Sequence, residues 1–238
     1  MTRTIEVEGS YNIRDLGGFP TEDGRTTRWH VLIRAGALDK VTPKGEQQLV
    51  AYGMKTIVDL RDEFEVRDYP DVFAQNSSVQ YHHKPLSPHS FSDDLTYSRL
   101  DEMYRVLLGG LKANIRAIAA VIADAEPGIV FHCYAGKDRT GVVAALLLGV
   151  AGVSNSLIAE DYAATSHHIA HLVAQWREYA VEHGQDMERF ACDVGADAVT
   201  MLNTLDDLKQ RYGGVPDYLR DCGVTDGQLA RLRTLLVE

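Results

Sequence analysis

The stretch Ile129 to Gly141, IVFHCYAGKDRTG, limits what this chain can fold into more than any other. An apolar run of strand length, Ile129–Cys133, ends in a cysteine, a short polar loop follows, and Arg-Thr-Gly opens an apolar helix. The apolar run Gly141 to Val153 is too short to span a bilayer and reads as a buried helix. Further strand-like runs lie at Val31–Ile33, Thr56–Leu60 and Val79–His83. A helical pattern at Lys44–Tyr52 has Thr42 as its expected N-cap and Pro43 as its first residue. A second runs from about Leu95 to Asp124, with Leu100, Met103, Tyr104, Leu107 and Leu108 on one face and a break near Gly109–Gly110. Strands alternating with helices predict an α/β fold, a central, mostly parallel sheet flanked by helices.

From Ser154 onward the pattern is helical: Ser156–Thr165, Ile169–Glu182, Ala196–Arg211, Pro216–Arg220 and Asp226–Val237. Val199, Leu202, Leu205 and Leu208 share one helical spacing. No linker separates this section from the sheet, so residues 1–238 are expected to form a single domain. The helices after Ser166 have two readings, core completion or a lid over the cysteine loop at about 166–195, with Phe190, Cys192 and Val194 near its lining.

Composition narrows the chemistry. The chain of 238 residues is 45% hydrophobic and 24% charged, as in ordinary globular proteins. A net charge of -10 argues against nonspecific binding to nucleic acid and against stable membrane insertion or docking. Cys133, Cys192 and Cys222 are odd in number and form no CxxC pair, which fits neither a disulfide framework nor a zinc ribbon and favours a reducing, cytoplasmic setting. Met1 to Gly9 lacks the features of a signal peptide.

Each part of the cysteine loop has a chemical reason. A thiol attacks as thiolate, and its free pKa of about 8.5 must fall for ionisation near neutrality. A helix N-terminus supplies partial positive charge and unpaired N–H groups, which the loop of Tyr134, Ala135, Gly136, Lys137 and Asp138 can curl around one phosphate. Gly136 permits a turn that other residues resist. Arg139 can grip two phosphate oxygens in bidentate fashion. His132 can hold the backbone beside Cys133, and the Thr140 hydroxyl can donate to the sulfur. The scheme needs no metal and no cofactor. A buried core cysteine would account for Cys133 alone but not for the cationic loop after it. A nucleotide-binding GxxxxGK[ST] loop fails at Phe131 and at Asp138.

HCYAGKDRTG resembles the HCxxGxxRT/S signature of the cysteine-dependent protein tyrosine phosphatase superfamily. Its Gly-Lys-Asp-Arg-Thr-Gly form is similar to the bacterial atypical branch of tyrosine and dual- or triple-specificity phosphatases, of the mycobacterial secreted type. Asn12-Ile-Arg-Asp-Leu-Gly-Gly18, Thr56-Ile-Val-Asp-Leu-Arg61 with Glu63 and Glu65, and Tyr218-Leu-Arg-Asp221 resemble further elements of that branch. Arg34-Ala35 departs from its usual Arg-Ser. The resemblance implies a phosphatase-like fold and a phosphomonoester hydrolase working through a cysteinyl phosphate, on phosphotyrosine and also on phosphoserine/threonine and phosphoinositides, with inorganic phosphate as product. A non-catalytic phosphate-binding module and a rhodanese-like sulfur carrier are the rival readings.

The leaving oxygen needs a proton donor. Asp138 inside the loop is the first candidate, Asp59 at a strand end the second, and Asp93 or Asp94 the others. Lys137 is expected beside the bound phosphate, where it would favour polyanionic substrates. His167 and His171 are an i,i+4 pair, read first as a solvated helix face. His82 and His83 face opposite ways on a strand and cannot act together.

Overall fold

The computed structural model describes residues 2–87 and 97–238. Five strands, β1 (Arg14–Asp15), β2 (Leu32–Ala35), β3 (Thr56–Asp59), β4 (Gln80–His83) and β5 (Ile129–His132), form one sheet in the order β1-β2-β5-β3-β4. Strand β5 is parallel to both β2 and β3, β4 is parallel to β3, and β1 runs antiparallel to β2. Successive strand side chains point to opposite faces. Ile129 and Phe131 therefore join Leu32 and Val58 in one core, while Val130 joins Ile33 and Ile57 in the other. The uninterrupted apolar reading of β5 follows from burial on both faces.

Helix α1 (Pro43–Tyr52) covers the smaller core with Leu49. The Gly45 N–H donates to Thr42 Oγ1 at 3.2 Å, and Pro43 stands at the helix start, as the sequence predicts. Helix α2 (Glu63–Asp68) follows β3 and was not expected: six residues with none buried give no periodic signal. The long expected helix is two, α3 (Leu100–Gly110) and α4 (Lys112–Asp124), bent by 80°. The break falls where two glycines weaken the helix, and the observed start is Leu100. Helix α5 (Asp138–Ala151) buries eleven of its fourteen residues, which accounts for its lack of a polar stripe. No single helix among the described residues is long and apolar enough to cross a membrane. The bent α3–α4 pair passes on composition, but its apolar side chains lie in the core.

Six more helices follow, α6 (Asn155–His168), α7 (Ala170–Glu182), α8 (Met187–Val194), α9 (Ala198–Tyr212), α10 (Val215–Asp221) and α11 (Asp226–Leu236). Helices α9 to α11 complete the larger core through Met201, Leu205, Leu208, Leu219 and Leu232. Val199, expected on that face, is 62% exposed; Met201 and Thr204 take the inward positions instead. Tyr218 donates to the Leu108 carbonyl at 2.8 Å, so the Tyr218–Asp221 element ties α10 to α3. Helices α7 and α8 differ from these: Ala180 is the one buried residue of α7, and α8 has none.

Candidate active site

Strand β5 ends between β2 and β3, with His132 in register with Ala35 on one side and Asp59 on the other. Cys133, 2% exposed, follows at the carboxyl edge, where α/β sheets place their sites. The carbonyls of the next residues are all turned outward. Tyr134 O accepts from the Ala37 N–H (2.8 Å) and the Tyr11 hydroxyl (2.9 Å). Ala135 O accepts from Asn12 Nδ2 (2.9 Å), and Gly136 O from Asn12 Nδ2 (3.0 Å) and Arg34 Nη2 (2.8 Å). In a trans peptide the N–H opposes the C=O. The N–H groups of Ala135, Gly136 and Lys137 therefore face inward, toward the concave side of the loop, and find no acceptor among the described residues.

Gly136 has φ of 67°, and a Cβ there would lie 2.5 Å from the Ala35 carbonyl oxygen, so glycine is required. The first turn of α5 adds free N–H groups, since no side chain caps it. The result is a bowl of donors at a helix N-terminus, a geometry suited to an anion. Thr140 Oγ1 is buried beneath it and has no partner among the described residues.

A buried ion cluster supports the bowl from outside. Asp161 on α6 pairs with Arg34 (2.5 Å) and Arg14 (3.2 Å), all three being at most 3% exposed. Burial alone would raise the Asp161 pKa, but Arg34 and Arg14 outweigh it and hold the carboxyl below the usual range. Arg14 also donates to Asn12, whose φ of 57° aims its side chain at the loop. The departure at Arg34-Ala35 leaves this arginine's function intact, because the guanidinium reaches the loop and Ala35 is fully buried.

Arg139 is held bidentately by Glu65 of α2, at 2.5 and 2.9 Å, with Asp62 at 3.9 Å. Burial opposes its charge, yet Glu65, Cys133 and Asp62 together raise its pKa. Two of its five N–H groups serve Glu65, and three are left for a ligand. Arg139 and Asp138 lie in an open cavity of about 240 Å³ whose apolar wall is Phe64, Tyr97, Met103 and Leu107. Asp138 Oδ1 accepts from the Tyr104 hydroxyl at 2.6 Å and lies 3.2 Å from Lys137 Nζ.

Two expectations need correction. Lys137 does not stand beside the bowl: its side chain is 3% exposed, and Nζ donates to the Asp193 carbonyl and to the Gly195 carbonyl at 2.9 Å. A buried ammonium needs partners, and the end of α8 supplies them. Asp59 does not line the cavity that holds Asp138 and Arg139. It is fully buried and bonded to Arg61 and to the Tyr81 hydroxyl, and although burial works the other way, His132 and Arg61 hold it far below the carboxylate range. His132 Nε2 lies 3.0 Å from Asp71 and 3.7 Å from Asp59; despite burial, these carboxylates raise it above the ordinary histidine value. Asp59, Asp71 and His132 are close enough for a metal, but Arg61 already neutralises Asp59.

Asp93 and Asp94 lie outside the described residues. The His167–His171 pair is split by the helix break at Ile169, with both side chains exposed. His83 Nε2 lies 2.8 Å from the Arg61 carbonyl and away from His82's face. Asn12, Arg34, Asp161, Glu65, Asp71 and Tyr104 are the supporting residues that sequence reasoning did not assign. The resembling elements Asn12–Gly18 and Glu63–Glu65 were the available signal for Asn12 and Glu65, and Arg34 stood in the departing Arg34-Ala35 pair; Asp71, Tyr104 and Asp161 had none.

Helices α7 and α8 arch beside the bowl. Trp176 stacks on Tyr134 with ring centres 6.2 Å apart, and His171 meets Tyr11 edge-on at 5.5 Å. Arg189 sits over the Tyr97 ring at 3.7 Å and pairs with Asp193, which also accepts from the Tyr97 hydroxyl at 3.0 Å.

Residues 5–238 match the model of a family described as the tyrosine phosphatase family. A tyrosine-protein phosphatase from Nostoc commune is 29% identical over 225 residues, covering 86% of this chain and 73% of the relative. The triple specificity protein phosphatase PtpB of Mycobacterium tuberculosis is 24% identical over 285 residues, 98% of either chain. Among solved structures, TpbA of P. aeruginosa in complex with phosphotyrosine shares 16% identity over 58% of this chain and 70% of its own, with a TM-score of 0.37.

Proposed function

The chain belongs to this tyrosine phosphatase family, and from that premise we propose that it hydrolyses phosphotyrosine through a cysteinyl phosphate on Cys133. The inward orientation of the loop N–H groups around that thiol carries the reading, because it builds a cradle for the oxygens of a phosphate dianion beside a nucleophile. The cradle, the α5 N-terminus and Arg139 place N–H donors and positive charge around the sulfur.

In the first step Cys133 Sγ attacks phosphorus in line. The S–P bond forms as the P–O bond breaks, Arg139 holds two equatorial oxygens, and Asp138 gives its proton to the leaving phenol oxygen. In the second step water attacks phosphorus, Asp138 takes the water proton, and the thiolate leaves with Thr140 donating to it. Inorganic phosphate is released. The apolar wall of Phe64, Tyr97, Met103 and Leu107 suits an aromatic ring above the bowl and favours phosphotyrosine over phosphoserine. With Lys137 turned into α8 and Asp62, Glu65 and Asp138 around the cavity, phosphoinositides lose the feature that recommended them. Helices α7 and α8 serve as a cover over this cavity, held more by polar clamps than by buried apolar surface.

The test is metal-free hydrolysis of p-nitrophenyl phosphate and a phosphotyrosyl peptide, with Cys133→Ser alongside. Wild type should turn over both and trap phosphate on Cys133 in a rapid quench, while the serine variant binds phosphate but turns over neither. Undiminished turnover in Cys133→Ser would overturn the mechanism. A wild type that binds phosphate without hydrolysis would restore the binding-module reading.

A further inference from the structure

The mechanism leaves one buried polar group without a task. Tyr104 on α3 is fully buried in the larger core, yet its hydroxyl reaches Asp138, which lines the cavity. It lies 2.6 Å from Asp138 Oδ1 and 2.7 Å from the Tyr162 hydroxyl, with the two rings edge to face at 6.2 Å. Tyr162, on α6, is 1% exposed. A carboxylate oxygen can only accept, so Tyr104 donates to Asp138 and Tyr162 in turn donates to Tyr104. Burial, together with the Asp138 carboxylate, pushes Tyr104 well above the usual phenol range, so it stays a donor. The chain Tyr162–Tyr104–Asp138 runs one way.

We propose that Tyr104 is a positioning residue that fixes which oxygen of Asp138 carries the transferred proton. Oδ1 accepts from Tyr104 and faces the Lys137 ammonium at 3.2 Å, so a proton on that oxygen would meet two donors. The proton is confined to Oδ2, the oxygen left for the leaving group. Tyr104 gives up no proton in the cycle: Asp138 loses one to the phenol oxygen and regains one from water. Holding an acid in one orientation removes rotamer freedom that would otherwise be lost in the transition state. Tyr162 supports this because Gly141 lets its ring pack against α5: a Cβ at Gly141 would lie 2.8 Å from Tyr162 Cδ2.

This inference rests on Asp138 being the acid, and the experiment separates the two. kcat/KM is measured for a phosphotyrosyl peptide, whose phenol must be protonated as it leaves, and for a difluorinated coumaryl phosphate, whose leaving group departs as the anion. Asp138→Asn should lose about a hundredfold on the first and little on the second. Tyr104→Phe should show the same pattern at smaller size, about tenfold on the peptide and under about twofold on the coumaryl ester. Tyr162→Phe, which leaves the Asp138 contact in place, should give a still smaller loss of the same kind and decides the matter if Tyr104→Phe fails to fold. Equal losses on both substrates, or none on either, in the tyrosine variants would overturn the proposal. A flat response in Asp138→Asn would instead remove the acid itself, and with it the need for Tyr104.

Discussion

At Arg139 the guanidinium is a structural tie, its outer edge engaged by Glu65, and in the proposed reaction it is also the ligand grip. Its plane is thereby set before phosphate arrives. Glu65→Gln keeps the shape but halves the acceptor strength, and misplacement of a gripping group by even about 1 Å can cost up to about a hundredfold. We expect kcat/KM to fall by about tenfold or more with the melting temperature nearly unchanged; equal activity would show that Arg139 orients itself. Arg139, Cys133 and Gly136 were legible as one cluster because a single short loop carries all three. Glu65 was visible only as part of a resemblance, since the six residues of α2, none of them fully buried, carry no periodicity. Lys137 was misread for a related reason. A lysine in a polar loop looks exposed, and nothing nearby in sequence announces the carbonyls of Asp193 and Gly195 that bury it.

Among the elements, α8 is attached to the rest of the protein by a few polar contacts, of which Lys137 is the most buried. Hydrogen bonds from a charged donor are worth about 1.5–3 kcal/mol each. Lys137→Met retains the apolar stem and removes the donors. Amide hydrogens of Met187–Val194 should then exchange about tenfold faster or more, while those of α5 stay as slow as before. Exchange unchanged in α8 would place its anchor elsewhere. The same variant should lower rates on phosphotyrosyl peptide and soluble inositide phosphate by one common factor, since the lysine does not face substrate. Strands β2, β3 and β5 and helices α5 and α9 were legible because each buries a continuous or periodic apolar set, and α1 was legible from its Thr42 cap and Pro43. Helix α8 was not, as none of its residues is buried.

Across the whole molecule, the buried Asp161 cluster joins segments more than a hundred residues apart. The folded Asp161 carboxyl is held below its unfolded value of about 3.9. Its stabilisation is therefore complete above that value and is lost as pH falls through the folded one; Asp59 acts in the same sense. His132 acts in the opposite sense, contributing below about pH 6.5 and losing that contribution as pH rises through its raised folded value. The urea midpoint should thus drop as pH is lowered below about 4. Asp161→Asn should cost about 3–5 kcal/mol at neutral pH and flatten that acid slope. A slope as steep as wild type would assign acid unfolding to other carboxylates. The sheet order carries a different consequence. Strand β5 lies between β2 and β3, both of which precede it in the chain. During synthesis from the N-terminus those two strands emerge from the ribosome with the slot between them unfilled, and the segment that fills it leads directly into Cys133. The thiol thus enters the protein with the stretch that closes the sheet, and no half-made sheet of the nascent chain displays it.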